Sequence, residues 1–144
     1  MAVRKFAQAI TKGENIQVSS HGNHRRDFTY IDDIVEGVIR VLDRPALPNP
    51  ERSSDNPDSG TSKAPWRVYN IGNNRPVNLM DYIGPLEKTP GKEANKEFLP
   101  IQPGDVPDTW ANVDDLVEQF DYQPNTLVEQ GVTSFVAWFK DYYG

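Results

Sequence analysis

Apolar positions recur at helical spacing in several stretches of this chain, with short extended runs between them. Val3, Phe6, Ala7 and Ile10 follow one another at intervals of three and four, and Gly13 is a natural stop, which predicts a helix over 2–12. Its stripe needs a partner surface, either from later in the chain or from a part that is missing. "NIQVSS", 15–20, predicts a short strand and "HGNHRR" a polar loop. The β-prone run from Asp27 leads into a second helix over about 31–43, where Ile31, Ile34, Val35, Val38, Ile39 and Leu42 form one apolar face. Asp32 and Asp33 in its first turn and Arg40 near its end suit the helix dipole, and Pro45 forbids continuation.

The periodicity then stops. From Arg44 to Trp66 the chain is rich in Pro, Ser, Asp and Asn, which predicts a long surface loop within one domain. Val68 to Ile71 has the content of a buried strand. Residues 76–88 predict a helix capped by Asn78 and kinked or cut short at Gly84-Pro85. An extended segment with a Pro-Gly turn occupies 96–112. Val113, Leu116, Val117 and Phe120 mark a short helix, and Thr126 to Glu129 is a capping-box pattern. The box opens a last helix with Val128, Val132, Phe135 and Phe139 on one face. Helices alternate with few, short strands, which favours α/β or α+β architecture.

Composition narrows the function classes. The 144 residues carry a net charge of −6, which argues against nucleic-acid binding and against adhesion to anionic membranes. No apolar run is long enough for a membrane span, and the first residues lack the pattern of a signal peptide. The chain has no cysteine, which removes disulfides, thiolate metal sites and cysteine nucleophiles and is compatible with a cytoplasmic protein. His21 and His24 form H-x-x-H in a polar loop, but no third ligand is apparent, so an exposed loop is expected and no metal site. The paired acids Asp32/Asp33 and Asp114/Asp115 read as helix-start residues.

Three blocks, "RRDFTYIDDIVEGVIRVLDRP", "VYNIGNNRPVNLMDYI" and "PIQPGDVPDTWANVDDL", resemble in order the C-terminal half of the extended short-chain dehydrogenase/reductase family, and more narrowly its UDP-glucuronate 4-epimerase type. The resemblance runs from Met1 to Gly144. It implies an α/β fold that is partial: a substrate-binding subdomain of an extended Rossmann-fold enzyme, about five helices and short strands, without the N-terminal Rossmann half. The family's GxxGxxG is absent, and no tyrosine is followed by lysine four residues on, as the family's catalytic pair requires. NAD is therefore implied for the parent enzyme with no cofactor site in this chain.

By the same resemblance, Arg26 stands where the family contacts the diphosphate of a UDP-sugar, and a guanidinium suits that group through charge-assisted hydrogen bonds. Arg25 reads as plain surface. In "QPGD" Asp105 matches the acid at the ribose, and Gln102 stands where some relatives have arginine. The strand around Gln17 would line the uracil with backbone groups, with Ser19 in place of a frequent aromatic. Gly84-Pro85, Thr89-Pro90 and Asn112 depart from the pattern. The leading expectation is a UDP-sugar-binding portion that is inactive alone and forms a homo-oligomer or pairs with the missing half. The alternative is a truncated, non-enzymatic module that binds a nucleotide sugar or another protein.

Overall fold

The computed structural model describes residues 2–88 and 91–144; Thr89-Pro90 lies outside them. Five helices and short strands follow in the order α1 (Ala2–Lys12), β1 (Asn15–Val18), a 3-10 turn (Ser19–Gly22), β2 (Arg25–Asp27), α2 (Ile31–Leu42), β3 (Pro76–Asn78), α3 (Leu79–Lys88), β4 (Asn95–Phe98), β5 (Asp108–Thr109), α4 (Asp114–Phe120) and α5 (Val128–Tyr143). The architecture is α/β. The chain packs as two compact units: Met1–Phe28, Arg75–Trp110 and Thr126–Gly144 form one, and Thr29–Asn74 with Ala111–Asn125 form the other.

The first unit holds the main core. β1 and β4 pair in parallel, with Gln17 opposite Glu97 and Val18 opposite Phe98. Ile16 and Val18 point inward from β1, as strand alternation requires, and Asn15 and Gln17 point outward. α1 packs on β1 and α3, and α3 packs on α5. Ala7, Ile10, Ile83, Leu86, Val132, Val136 and Phe139 close the cluster, so the partner of the first helix's stripe comes from later in the chain. Each fully buried aliphatic contributes about 1.5–3 kcal/mol from leaving water. That burial explains why α3 runs on to Lys88 despite Gly84-Pro85: Tyr82, Ile83, Pro85 and Leu86 are all buried, and packing overrides the breaker. Asn78 directly precedes α3, with the extended backbone of β3 that an N-cap residue takes, and its side-chain amide donates to Asp81 at 3.3 Å. α5 begins at Val128, with the extended Leu127 as its N-cap and no side-chain cap bond, one residue later than a Thr126 capping box requires.

A second sheet of the same unit has the order β3-β2-β5, antiparallel then parallel, with Arg25 opposite both Asn78 and Asp108. The strand is therefore the arginine pair itself rather than the run from Asp27 to Tyr30. Pairing on both sides holds Arg25 and Arg26 extended, Asp27 pairs with Pro76 alone, and the strand does not continue past Asp27.

The second unit is built around α2 and α4. Gly37 lets two side chains approach α2 closely: a Cβ there would meet Ile71 Cδ1 at 3.1 Å and Tyr122 Cε1 at 3.3 Å. The Tyr122 hydroxyl donates to the Asp33 carbonyl at 2.7 Å. Much of the predicted apolar face of α2 stays exposed, including Val38 at 53% and Leu42 at 75%. Val68–Ile71 is no strand: beside it lies one isolated bridge, Arg67 with Thr61, and the Val68 amide donates to the Gly60 carbonyl at 2.9 Å. Side-chain bonds hold the rest, Tyr69 to Gln119 and the Asn70 amide to the Asn112 carbonyl. The loop after α2 lacks helix and strand but is pinned at the buried Thr61, whose hydroxyl donates to Asp58 at 2.6 Å and accepts from Asn49 at 3.0 Å. Hydrogen bonds from Thr61 and from the Gly60 amide hold the Asp58 carboxyl below its ordinary pKa. Among the described residues no helix is long and apolar enough to cross a membrane.

Candidate functional site

The Pro-Gly bend is a hydrogen-bonded turn: the Asp105 amide donates to the Gln102 carbonyl at 3.0 Å, and Gly104 has φ +87°. Proline second and a left-handed glycine third are the type II arrangement. The turn fixes where Asp105 leaves the backbone. The next two residues are tied directly to β2: Arg26 Nη1 donates to the Pro107 carbonyl at 2.9 Å and Nη2 to the Val106 carbonyl at 2.8 Å. Nη1 also donates to the Arg25 carbonyl at 2.9 Å. A guanidinium has five N–H donors. Among the described residues three are in use, which leaves Nε–H and one Nη2–H on a side chain whose direction the loop has already set.

Arg25 points elsewhere. It makes a two-pronged ion pair with Asp108, both bonds at 2.9 Å, so it is exposed but engaged. The hydrogen bond from Arg25 is the main reason the Asp108 carboxyl sits below its ordinary pKa.

Arg26 and Asp105 line one cavity of about 650 Å³ in the first unit, and Gln17 and Ser19 line it too. Four of the five expected site residues are thus brought together. Gln102 is not in the wall; its amide donates at 3.4 Å to the Pro100 carbonyl. Both signs of charge are present, Lys5 and Arg26 against Glu97 and Asp105.

Sequence reading missed several wall residues. Phe6 is half-buried and gives the cavity an aromatic wall from α1; its place in the apolar stripe concealed that role. Phe28 contributes a second ring, stacked on Tyr82 at 4.1 Å, and burial raises the Tyr82 phenol's pKa well above its ordinary value. Glu97 belongs to β4 and had no motif to announce it; only the β1–β4 register puts it beside Gln17. His24 is buried against expectation, and its backbone carbonyl accepts from the Leu79 amide at 3.0 Å. Its Nε2 has no partner among the described residues. His21 stays exposed. Among the described residues no three His, Cys, Asp or Glu side chains gather as metal ligands.

Known proteins place these features in a family. The family model described as "NAD dependent epimerase/dehydratase family" matches residues 1–72. Protein CapI of Staphylococcus aureus is 52% identical over 143 residues, covering 99% of this chain and 43% of its own length. A probable UDP-glucuronate 4-epimerase of Rhizobium meliloti is 40% identical, with 99% and 42% covered. The crystal structure of UDP-glucuronic acid 4-epimerase from Bacillus cereus, in complex with UDP-glucuronic acid and NAD, superposes with a TM-score of 0.76 at 27% identity, over 99% of this chain and 40% of that one. The chain thus spans well under half the length of these relatives and matches part of their extended Rossmann-type fold, and it belongs to the NAD dependent epimerase/dehydratase family.

Proposed function

We propose that this chain is the nucleotide-sugar-binding portion of an NAD-dependent 4-epimerase, most like UDP-glucuronate 4-epimerase, and that its ligand is a UDP-sugar. The observation that carries the reading is the single cavity bounded by Arg26, Asp105, Gln17 and Ser19. Arg26 meets the pyrophosphate with its Nε–H and remaining Nη2–H. Hydrogen bonds to a charged group are worth about 1.5–3 kcal/mol each. Asp105, held by the type II turn, accepts from ribose hydroxyls. Gln17 and Ser19 flank the base, and Phe6 offers the flat apolar surface that Ser19 cannot.

NAD belongs to the parent enzyme in this reading and supplies the hydride exchange at the sugar. The residues present do not fit it. A dinucleotide needs a glycine-rich strand-to-helix turn whose amides meet the pyrophosphate. Here the residues before α2, α4 and α5 are Tyr30, Val113 and Leu127, and Asn78 precedes α3. With Tyr-x-x-x-Lys absent as well, the chain alone has no epimerase activity. Interconversion of UDP-sugars by the purified chain with NAD added would refute this.

The apolar stripe left exposed on α2 supports association, either with a chain bearing the NAD-binding half or with a second copy. Sedimentation that gave a clean monomer at high concentration would count against self-association. A cytoplasmic location is part of this reading, and the cysteine-free composition is compatible with it. The site itself is tested by calorimetric titration with UDP. Binding by the wild-type chain and a loss of about tenfold or more in R26A are expected; absence of heat in both would favour the non-enzymatic module.

A further inference from the structure

Another face of α1 lines a second cavity of the first unit, of about 550 Å³, together with the end of α5 and the segment before β4. No residue lines both cavities. Arg4, Lys12, Lys92 and Lys140 meet in the wall of this one with no acidic side chain among them, although the whole chain has 21 acids against 15 lysines and arginines. Such segregation makes a local positive field on an acidic protein. A carboxylate at Gly144, which also lines the cavity, would cancel one of the four charges. Phe139 and Tyr143 add two rings, their centroids 4.9 Å apart. Concave spaces of this size with aromatic walls suit small molecules.

Helix ends account for part of the charge. Lys12 and Lys140 stand in the last turns of α1 and α5, where the dipole favours cations. Lys92 Nζ donates to the Thr11 carbonyl at 2.9 Å, which uses one of its three N–H groups. Arg4 has no such explanation. It stands in the first turn of α1, where the dipole disfavours a cation, and that turn holds no acid. Arg4 and Lys12 are exposed, and neither has a hydrogen-bond or ion-pair partner among the described residues. They are about two helical turns apart, roughly 12 Å along the axis, so a chain of phosphates suits the pair better than a single small anion.

We propose that this cavity binds an organic polyphosphate bearing a flat ring, of the nucleoside triphosphate class. Arg4, Lys12 and Lys92 hold the phosphates through charge-assisted hydrogen bonds, and the ring lies against Tyr143. No histidine or acidic side chain lines the cavity, so the site binds its ligand without acting on it. The inference is independent of the nucleotide-sugar reading, because the two cavities share no residue.

The test is calorimetry of the full chain with ATP and with inorganic triphosphate, without magnesium, in wild type, R4Q/K12Q and R26A. Both substituted positions of the double variant are exposed and glutamine keeps the helix, so an unchanged thermal midpoint shows that it folds. Wild type is expected to bind ATP about threefold or more tighter than inorganic triphosphate, the gain coming from the ring. R4Q/K12Q should lose about tenfold or more in affinity for both, and R26A should stay within about twofold of wild type. Raising salt from about 50 to 200 mM should weaken wild-type binding several-fold. No binding by wild type, or wild-type affinity in R4Q/K12Q, overturns the site. A loss in R26A in place of R4Q/K12Q overturns it too, since the anion then occupies the other cavity. Equal affinity for ATP and inorganic triphosphate overturns the ring contact and with it the ligand class.

Discussion

α1 and α2 carry apolar stripes of similar spacing, and they end in opposite environments. In the first unit Ala7 and Ile10 are sealed by β1 and α3, within a cluster that also draws on α5. In the second unit Val35, Val38, Ile39 and Leu42 of α2 face water, and the helix is held from its other side by Ile71 and Tyr122 against Gly37. Amphipathic spacing states that a face can be buried; whether it is depends on a complementary surface within reach. The cavity lies in the unit where that surface is supplied. Its walls are thus set by packed elements, as a precise polar site requires.

The contrast can be broken by mutation. Ile83→Ala, at a fully buried position of α3, should cost about 2–5 kcal/mol in urea unfolding. A cost under 1 kcal/mol would mean that the first unit is not the better packed. Gly104→Ala forces a left-handed backbone on a residue with a Cβ and should cost about 1–2 kcal/mol. UDP affinity should fall with it, because the turn places Asp105; unchanged affinity would separate the turn from the site.

Acid should act on the first unit through Glu87. Burial raises its carboxyl's pKa, but hydrogen bonds from Lys96 and the Ala94 amide outweigh that and hold it below the ordinary 4.5. The folded-state value is depressed, so this stabilisation is full above the ordinary value and is lost as pH falls through the lower folded one. E87Q should flatten the decline in stability below about pH 4.5; an unaltered profile would discount the pair. The smallest effect on the isolated chain is expected on α2, where Val38→Asp should change unfolding at low concentration by no more than about 0.5 kcal/mol while weakening any self-association through the stripe. A loss above 2 kcal/mol would show that the stripe is covered in solution.

Much of this architecture is written locally. Both α1 and α2 end within a residue of where periodicity and the breakers Gly13 and Pro45 place them. Gln102-Pro103-Gly104-Asp105 declares its own turn. What failed depended on distant partners. Val68–Ile71 has strand composition but no strand to pair with among the described residues. Gly84-Pro85 predicts a kink or an early end, and of these the early end does not occur: burial on both sides of Pro85 carries the helix through to Lys88. The site divides in the same way. Arg26 and Asp105 were readable from the resemblance of their motifs, whereas Glu97 and Phe6 became wall residues only when β4 and α1 closed against β1.

The parallel pairing of β1 with β4 has a kinetic consequence. Gln17 waits for a partner eighty residues further along, with the early part of the second unit synthesised in between. At about 5–20 residues per second on the ribosome, Ile16 and Val18 remain without their strand neighbour for roughly 4–16 s. Such a non-local contact slows folding and prolongs the life of a sticky intermediate. The nascent chain is therefore most vulnerable to aggregation before Asn95–Phe98 emerges, and co-expressed holdase chaperones should raise soluble yield most for variants that delay that pairing.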